Sequence, residues 1–204
     1  MDGGRLPGAL RKGDVLVVVD VQADFVSGSL AIPGASAVIA PLNAWIEAFT
    51  RRGLPIVATR DWHPAKHVSF REQGGPWPEH CVAGTPGAAF APGLRLAAES
   101  WIISKATQPD RDAYSGFEGT TLGDWLRHEH ATRLFVGGLA TDYCVLHTVL
   151  DACERGFGTF VLGDAVAAVN ARPGDGDRAR ATIEQAGAAF VKLADIPAEA
   201  VPRG

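Results

Sequence analysis

A chain of 204 residues that is 47% apolar and 21% charged suits one domain with a full hydrophobic core. A net charge of −4, the lack of any basic run and the lack of an apolar stretch of membrane-spanning length argue against nucleic-acid and membrane partners. Three widely spaced cysteines, Cys81, Cys144 and Cys153, make neither a zinc-type pairing nor a disulfide framework, and residues 1–12 lack a signal-peptide pattern, so a reducing cytoplasm is expected.

The first predicted strand, 14–20, carries the run Val15-Leu16-Val17-Val18-Val19, as in a central parallel strand covered on both faces. It ends on Asp20. Ser27-Gly28 and Ile32-Pro33-Gly34 mark loop. A helix is expected over 36–52, its regular start delayed by Pro41 and its end set by Gly53. The second strand, 55–59, runs into Arg60-Asp61-Trp62-His63-Pro64. From about 60 to 93 the chain is rich in Gly, Pro, His and Trp; a loop this long is unusual in a compact domain unless it is functional. A third strand, 101–104, ends at Lys105, and a short helix follows over 122–129. The fourth strand, 133–136, is ended by Gly137-Gly138. A helix over 143–155 then puts Cys144 at its amino end. A fifth strand (159–162), a loop (164–176), a helix (177–186), a sixth strand (189–193) and a surface tail (197–204) complete the chain.

Strand and helix alternate throughout. This predicts an α/β fold of a single domain, 1–204, with its core at about 14–193: a three-layer sandwich of a six-stranded, mostly parallel sheet with helices on both faces. In such sheets ligands bind outside the carboxyl ends of the strands. Asp20, Asp61 with His63, Lys105 and Cys144 lie just past four consecutive strand ends, and that convergence says more than any one of them.

Asp20, Lys105 and Cys144 make a plausible catalytic set. A helix amino end lowers a thiol pKa, a neighbouring carboxylate serves as base, and a lysine beside both favours their charged forms. Backbone N–H groups of the Leu139-Ala140-Thr141 turn and of the helix start can receive an oxyanion. Asp61, His63 and His80 have the chemistry of a divalent metal site: a carboxylate and imidazoles suit Zn, Mn or Fe, and three ligands leave positions open. His67 is a candidate fourth member. Phe25, Trp77 and Tyr143 can wall an aromatic pocket. Each residue also has a plain structural reading. Asp20 would cap a turn, Lys105 would be a solvated charge, and the aromatics would be core. Cys81 and Cys153 read as packing, and His128, His130 and His147 as surface.

These residues fall in stretches that closely resemble the nicotinamidases, also called pyrazinamidases, of the isochorismatase-like hydrolases. The stretches are Val19-Asp20-Val21-Gln22-Ala23-Asp24-Phe25, Arg60-Asp61-Trp62-His63-Pro64, Trp77-Pro78-Glu79-His80-Cys81-Val82-Ala83-Gly84-Thr85-Pro86-Gly87-Ala88, Ser104-Lys105-Ala106, Tyr114-Ser115-Gly116-Phe117 and Gly138-Leu139-Ala140-Thr141-Asp142-Tyr143-Cys144-Val145. The resemblance implies an amidohydrolase of linear carboxamides that converts nicotinamide to nicotinate and ammonia, with pyrazinamide also accepted, and a role in pyridine-nucleotide (NAD) salvage. It implies Cys144 as nucleophile through a thioester, Asp20 as general base and acid, and Lys105 as their electrostatic partner. It implies an oxyanion hole from Ala140 and Cys144 N–H beside a cis Leu139–Ala140 peptide. It further implies one metal held by Asp61, His63 and His80 against the pyridine nitrogen, with Phe25 and Trp77 packing the ring. His67 ligates the metal in some relatives and not in others. Two other readings stay open: another amidase of the superfamily acting on a carbamoyl or aliphatic amide without a metal, and a non-catalytic ligand-binding or redox-sensing relative. Metal identity and oligomeric state, a homo-oligomer included, are open at this level.

Overall fold

The computed structural model describes residues 7–197; the tail expected beyond Pro197 lies outside them. Six strands form one sheet: β1 (Asp14–Val19), β2 (Ile56–Asp61), β3 (Trp101–Lys105), β4 (Arg133–Leu139), β5 (Gly158–Ala167) and β6 (Ala189–Val191). Their order is β3-β2-β1-β4-β5-β6, and every pairing is parallel. The chain builds outward from β1 to β3, returns to the other flank of β1 with β4, and builds outward again. The order therefore reverses between β1 and β4, where open α/β sheets form their ligand crevice.

Among the described residues five α-helices accompany the sheet: α1 (Ala23–Val26), α2 (Ile39–Thr50), α3 (Leu122–His128), α4 (Cys144–Glu154) and α5 (Asp175–Gln185). β1 is buried on both sides, as its apolar run predicts. Leu16 and Val18 pack with Leu42, Trp45, Ile46 and Phe49 of α2. Val15, Val17 and Val19 pack with Leu122 and Leu126 of α3, Val145 and Val149 of α4, and Ile183 of α5. Alternate residues thus serve opposite layers. As the Pro41 position predicts, the regular helix starts later than Ser36: it begins at Ile39, after a 3₁₀ turn, Ala35–Val38. Proline is tolerated in a first turn because its missing N–H would have no helical partner there.

Gly137 and Gly138 do not end β4. Both continue its pairing with β1, opposite Val18 and Val19. A Cβ at Gly138 would lie 2.1 Å from the Val19 carbonyl oxygen, and one at Gly137 would lie 2.9 Å from Leu162 and 3.0 Å from Leu42. The glycines permit close approach, which in sequence looks the same as a strand stop. β5 likewise runs on to Ala167, past the expected end at 162. Its register shifts against β4 between Val136 and Gly138.

The long segment after β2 has no α-helix or full strand before β3. Isolated bridges, His63 to Val82 and Phe70 to Trp77, fold it back on itself over the carboxyl edge of the sheet. Among the described residues no helix is long and apolar enough to cross a membrane.

Candidate active site

Four strand ends meet at one buried ammonium group. Lys105 closes β3 and lies directly opposite Asp61, the last residue of β2. Its Nζ donates to Asp61 Oδ1 at 2.5 Å and to the Ala113 carbonyl at 3.0 Å. It lies 3.0 Å from Asp20 Oδ2 and 3.3 Å from Cys144 Sγ. All four of these side chains are buried. Thr59 Oγ1 donates to the other oxygen of Asp20 at 2.6 Å. Asp20 Oδ2 takes part in the ion pair but has no well-aligned hydrogen bond, so one acceptor of that carboxylate is open. Oxygen atoms of Asp20 and Asp61 and the Cys144 sulfur lie within 4.8 Å of one another.

This geometry divides the charges unevenly. Burial works against ionising Asp61, but Lys105 and the neighbouring His63 outweigh it and hold the carboxyl below the ordinary range. Burial also works against charging Lys105, yet Asp20 and Asp61 keep it firmly protonated. Asp20 goes the other way: burial, reinforced by the Asp61 charge, exceeds the pull of Lys105 and raises its pKa. Burial, with Asp20 and Asp61 nearby, raises the Cys144 thiol well above its usual value against the pull of Lys105. Burial thus opposes the pull that a helix amino end and a lysine exert on the thiol: one ammonium faces two carboxylates, which leaves a role for a base.

Cys144 is the first residue of α4, so its N–H has no partner within the helix. The Leu139–Ala140 peptide is cis, as the resemblance implies. The Ala140 carbonyl accepts the N–H groups of Tyr143 and Val145 at 3.1 and 3.0 Å, which fixes the turn between β4 and α4.

Asp61 also faces a second group. Its Oδ2 lies 3.6 Å from His63 Nε2, and Asp61, His63 and His80 each offer a ligand atom within 4.8 Å of the others. His63 is buried, and neither of its ring nitrogens has a hydrogen-bond partner. An unsatisfied buried group of this kind costs about 1–3 kcal/mol. His80 Nδ1 donates to the Pro78 carbonyl at 2.8 Å, which leaves Nε2 with a free lone pair. A carboxylate oxygen, an imidazole with no other partner and an imidazole locked in one tautomer fit a divalent cation. His67 lies against His63, with ring centroids 4.2 Å apart, but both its nitrogens are engaged. Nε2 donates to the Arg111 carbonyl at 3.0 Å, and Nδ1 accepts from Ser69 Oγ at 2.7 Å.

A small cavity joins the two groups. Cys144, Ala140, Asp61, His63 and His80 line it, together with Phe25, Trp77 and Tyr143. Phe25 packs against His80 (centroids 5.5 Å apart), and Trp77 meets Tyr143 edge to face (5.1 Å). Sequence reasoning missed Tyr114, whose hydroxyl accepts the Trp77 indole N–H at 3.0 Å, and Thr59, which holds Asp20. Thr59 and Asp61 are two residues apart on one strand and so share a face; that period was the available signal. His128, His130 and His147 are exposed, and Cys81 is packed in the core, as expected.

The isochorismatase domain family model matches residues 14–195. The chain is 38% identical to the nicotinamidase of Escherichia coli K12 over 202 residues, covering 88% of this chain and 95% of that protein. It is 39% identical over 187 residues to the nicotinamidase/pyrazinamidase of Mycobacterium tuberculosis, covering 87% and 96%. Among solved structures it resembles the pyrazinamidase of Pyrococcus horikoshii in complex with zinc, with 47% identity, a TM-score of 0.85, and coverage of 89% of this chain and 99% of that one. It also resembles PnC1 from L. infantum in complex with nicotinate, with 35% identity, a TM-score of 0.86, and coverage of 94% and 98%.

Proposed function

The chain belongs to the isochorismatase family, and from that premise we propose that it hydrolyses nicotinamide to nicotinate and ammonia through a thioester on Cys144. The observation that carries the reading is the double role of Asp61. One of its oxygens meets Lys105 of the Asp20–Lys105–Cys144 set, and the other faces His63 of the Asp61–His63–His80 set. A thiol chemistry and a ligand-anchoring chemistry thus share one wall of one cavity.

Asp20 takes the Cys144 proton at its open oxygen, and the sulfur attacks the carboxamide carbon. The N–H groups of Ala140 and Cys144 receive the oxyanion. Lys105 stays charged and balances the negative charge as it moves between sulfur and carboxylate. The raised pKa of Asp20 suits the next step, in which it returns the proton to the departing nitrogen so that ammonia leaves. Asp20, ionised again, removes a proton from water. The water oxygen attacks the thioester, the C–S bond breaks, and Asp20 passes the water proton to the departing sulfur, which restores the thiol; the acid product ionises to nicotinate. When bound by Asp61, His63 and His80, a divalent metal supplies a Lewis-acidic anchor for the pyridine nitrogen. Phe25, Trp77 and Tyr143 flank the ring plane and exclude bulk water. His67, with both nitrogens engaged, orients the wall rather than binding metal. We place the reaction in the cytoplasm, where reducing conditions keep Cys144 a free thiol.

The test is ammonia release from nicotinamide by the purified chain, before and after chelator stripping and after adding back zinc. Loss on stripping and recovery on add-back are expected. No turnover by reduced, metal-replete protein would overturn the reading. Pyrazinamide should be cleaved as well, because one of its two ring nitrogens has the same meta relation to the carboxamide; pyrazinoate release measures this.

A further inference from the structure

We propose that Gln22 and Asp24, in the stretch just after β1, are positioning residues that hold Asp61, His63 and His80 in the geometry of a metal site. The inference rests on the metal reading of that trio. Neither side chain has a part in the mechanism above, yet their bonds reach the backbone of Asp61 and of Cys81, which adjoins His80 and in turn bonds His63.

Gln22 acts on Asp61. It is fully buried, and its carboxamide oxygen accepts the Asp61 N–H at 2.7 Å. Its amide nitrogen donates to the Asp61 carbonyl at 2.8 Å and to the Ala88 carbonyl at 2.9 Å. A neighbouring strand would make the same pair of bonds to Asp61. β1 cannot, because its bonding to β2 ends where the Asp20 N–H meets the Thr59 carbonyl. The Gln22 side chain replaces the missing strand for one residue, and that residue is the ligand.

Asp24 acts on the other two. Its Oδ2 accepts the Cys81 N–H at 2.8 Å, and its Oδ1 accepts the Ser29 N–H at 3.3 Å. Ser29 Oγ donates to the Glu79 carbonyl at 2.7 Å. The residues before and after His80 are thus both tied to the 24–29 turn. The Cys81 carbonyl in turn accepts the His63 N–H at 3.0 Å, and the His63 carbonyl accepts the Ala83 N–H at 2.8 Å. Holding Cys81 therefore holds His63. The niche is cut to the carboxylate: a Cβ at Gly28 would lie 2.2 Å from Asp24 Oδ1, and one at Gly87 would lie 2.1 Å from Oδ2. Both carboxylate oxygens face N–H donors. An amide of the same shape would turn its NH₂ against one of them.

The experiment uses the full chain stripped of metal. It measures the zinc dissociation constant by competition with a chromophoric chelator, and the thermal midpoint of the metal-free protein. For Asp24→Asn and Gln22→Met the zinc affinity should fall by about tenfold to a hundredfold, the range seen when groups supporting metal ligands are lost. Ser29→Ala removes only the Glu79 tie at an exposed position, so it should fold and show a smaller loss. Should Gln22→Met fail to fold, the other two variants decide. Folded variants that bind zinc within about threefold of wild type would overturn the proposal, even with lowered midpoints, because the residues would then serve the fold alone. Wild-type protein that takes up no zinc, with His63→Ala indistinguishable from it, would overturn the metal reading and this inference with it.

Discussion

At the amino ends of β1 and β4, Asp14 meets Arg133; at the carboxyl ends of the same strands, Asp20 meets Lys105, Asp61 and Cys144. Both clusters are buried, and they differ in balance. Arg133 bonds both Asp14 oxygens at 2.6 Å through Nε and Nη2; Nη2 also donates to the Ala9 carbonyl at 3.1 Å, and Nη1 donates to the Pro7 carbonyl. One charge meets one charge, and the polar atoms of the pair find partners. At the other end one ammonium serves two carboxylates beside a thiol. There, one oxygen of Asp20 lacks an aligned bond and both nitrogens of His63 lack any. The difference separates structure from chemistry. A matched buried ion pair holds a fold together and says nothing about function, whereas an unmatched cluster at a cavity is held in place by the rest of the fold and marks a site.

Substitutions at the two ends should separate cleanly. Cys144→Ala gives the largest effect: kcat for nicotinamide should fall by at least about 10⁴-fold with the thermal midpoint unchanged, because the nucleophile is lost and the core is not. Substantial turnover would break the covalent scheme. Asp20→Asn should lower kcat by about 10²–10⁴-fold, the usual worth of a general acid–base. It should also leave stability equal or higher, since it removes the surplus negative charge; urea unfolding of the metal-free protein measures this. Marked destabilisation would mean that the Asp20 charge serves the fold. Arg133→Met should behave in the opposite way. It strands a buried Asp14 carboxylate at a cost of about 3–5 kcal/mol, while the folded fraction keeps its kcat/KM. A loss of kcat/KM there would end the contrast between the two clusters. The smallest effect is expected for Tyr114→Phe, which removes the acceptor for the Trp77 indole. Losing that bond should cost about 1 kcal/mol, read as a several-fold rise in KM with little change in kcat.

Much of the site was legible because function sits at strand ends, and strand ends can be read from apolar runs. Asp20, Asp61 with His63, Lys105 and Cys144 can be read in this way, and His80 joins Asp61 and His63 through ligand chemistry. Thr59 was within reach of the same reasoning through the two-residue period. The Ala113 carbonyl that accepts from Lys105 was not, because any residue offers a carbonyl and only the path of the loop aims this one. Gly137-Gly138 shows the reverse case. Glycine in a strand carries one signal for two physical causes, a stop and a close approach, and only the neighbouring Val19, Leu42 and Leu162 distinguish them.

The sequence by itself determined the alternation of strand and helix, the burial of β1 on both faces and the reactive residues at four strand ends. These follow from local patterns of apolar and polar side chains. Tertiary structure decided the rest. Strand order placed β4 beside β1, and so brought Cys144 to Asp20. The register of β2 on β3 set Asp61 opposite Lys105, which divided one positive charge between two acids. That division, acting with burial, raises the pKa of both the thiol and its base. Such shifts depend on the distances between charges and on the exclusion of water, and neither exists until the strands have packed.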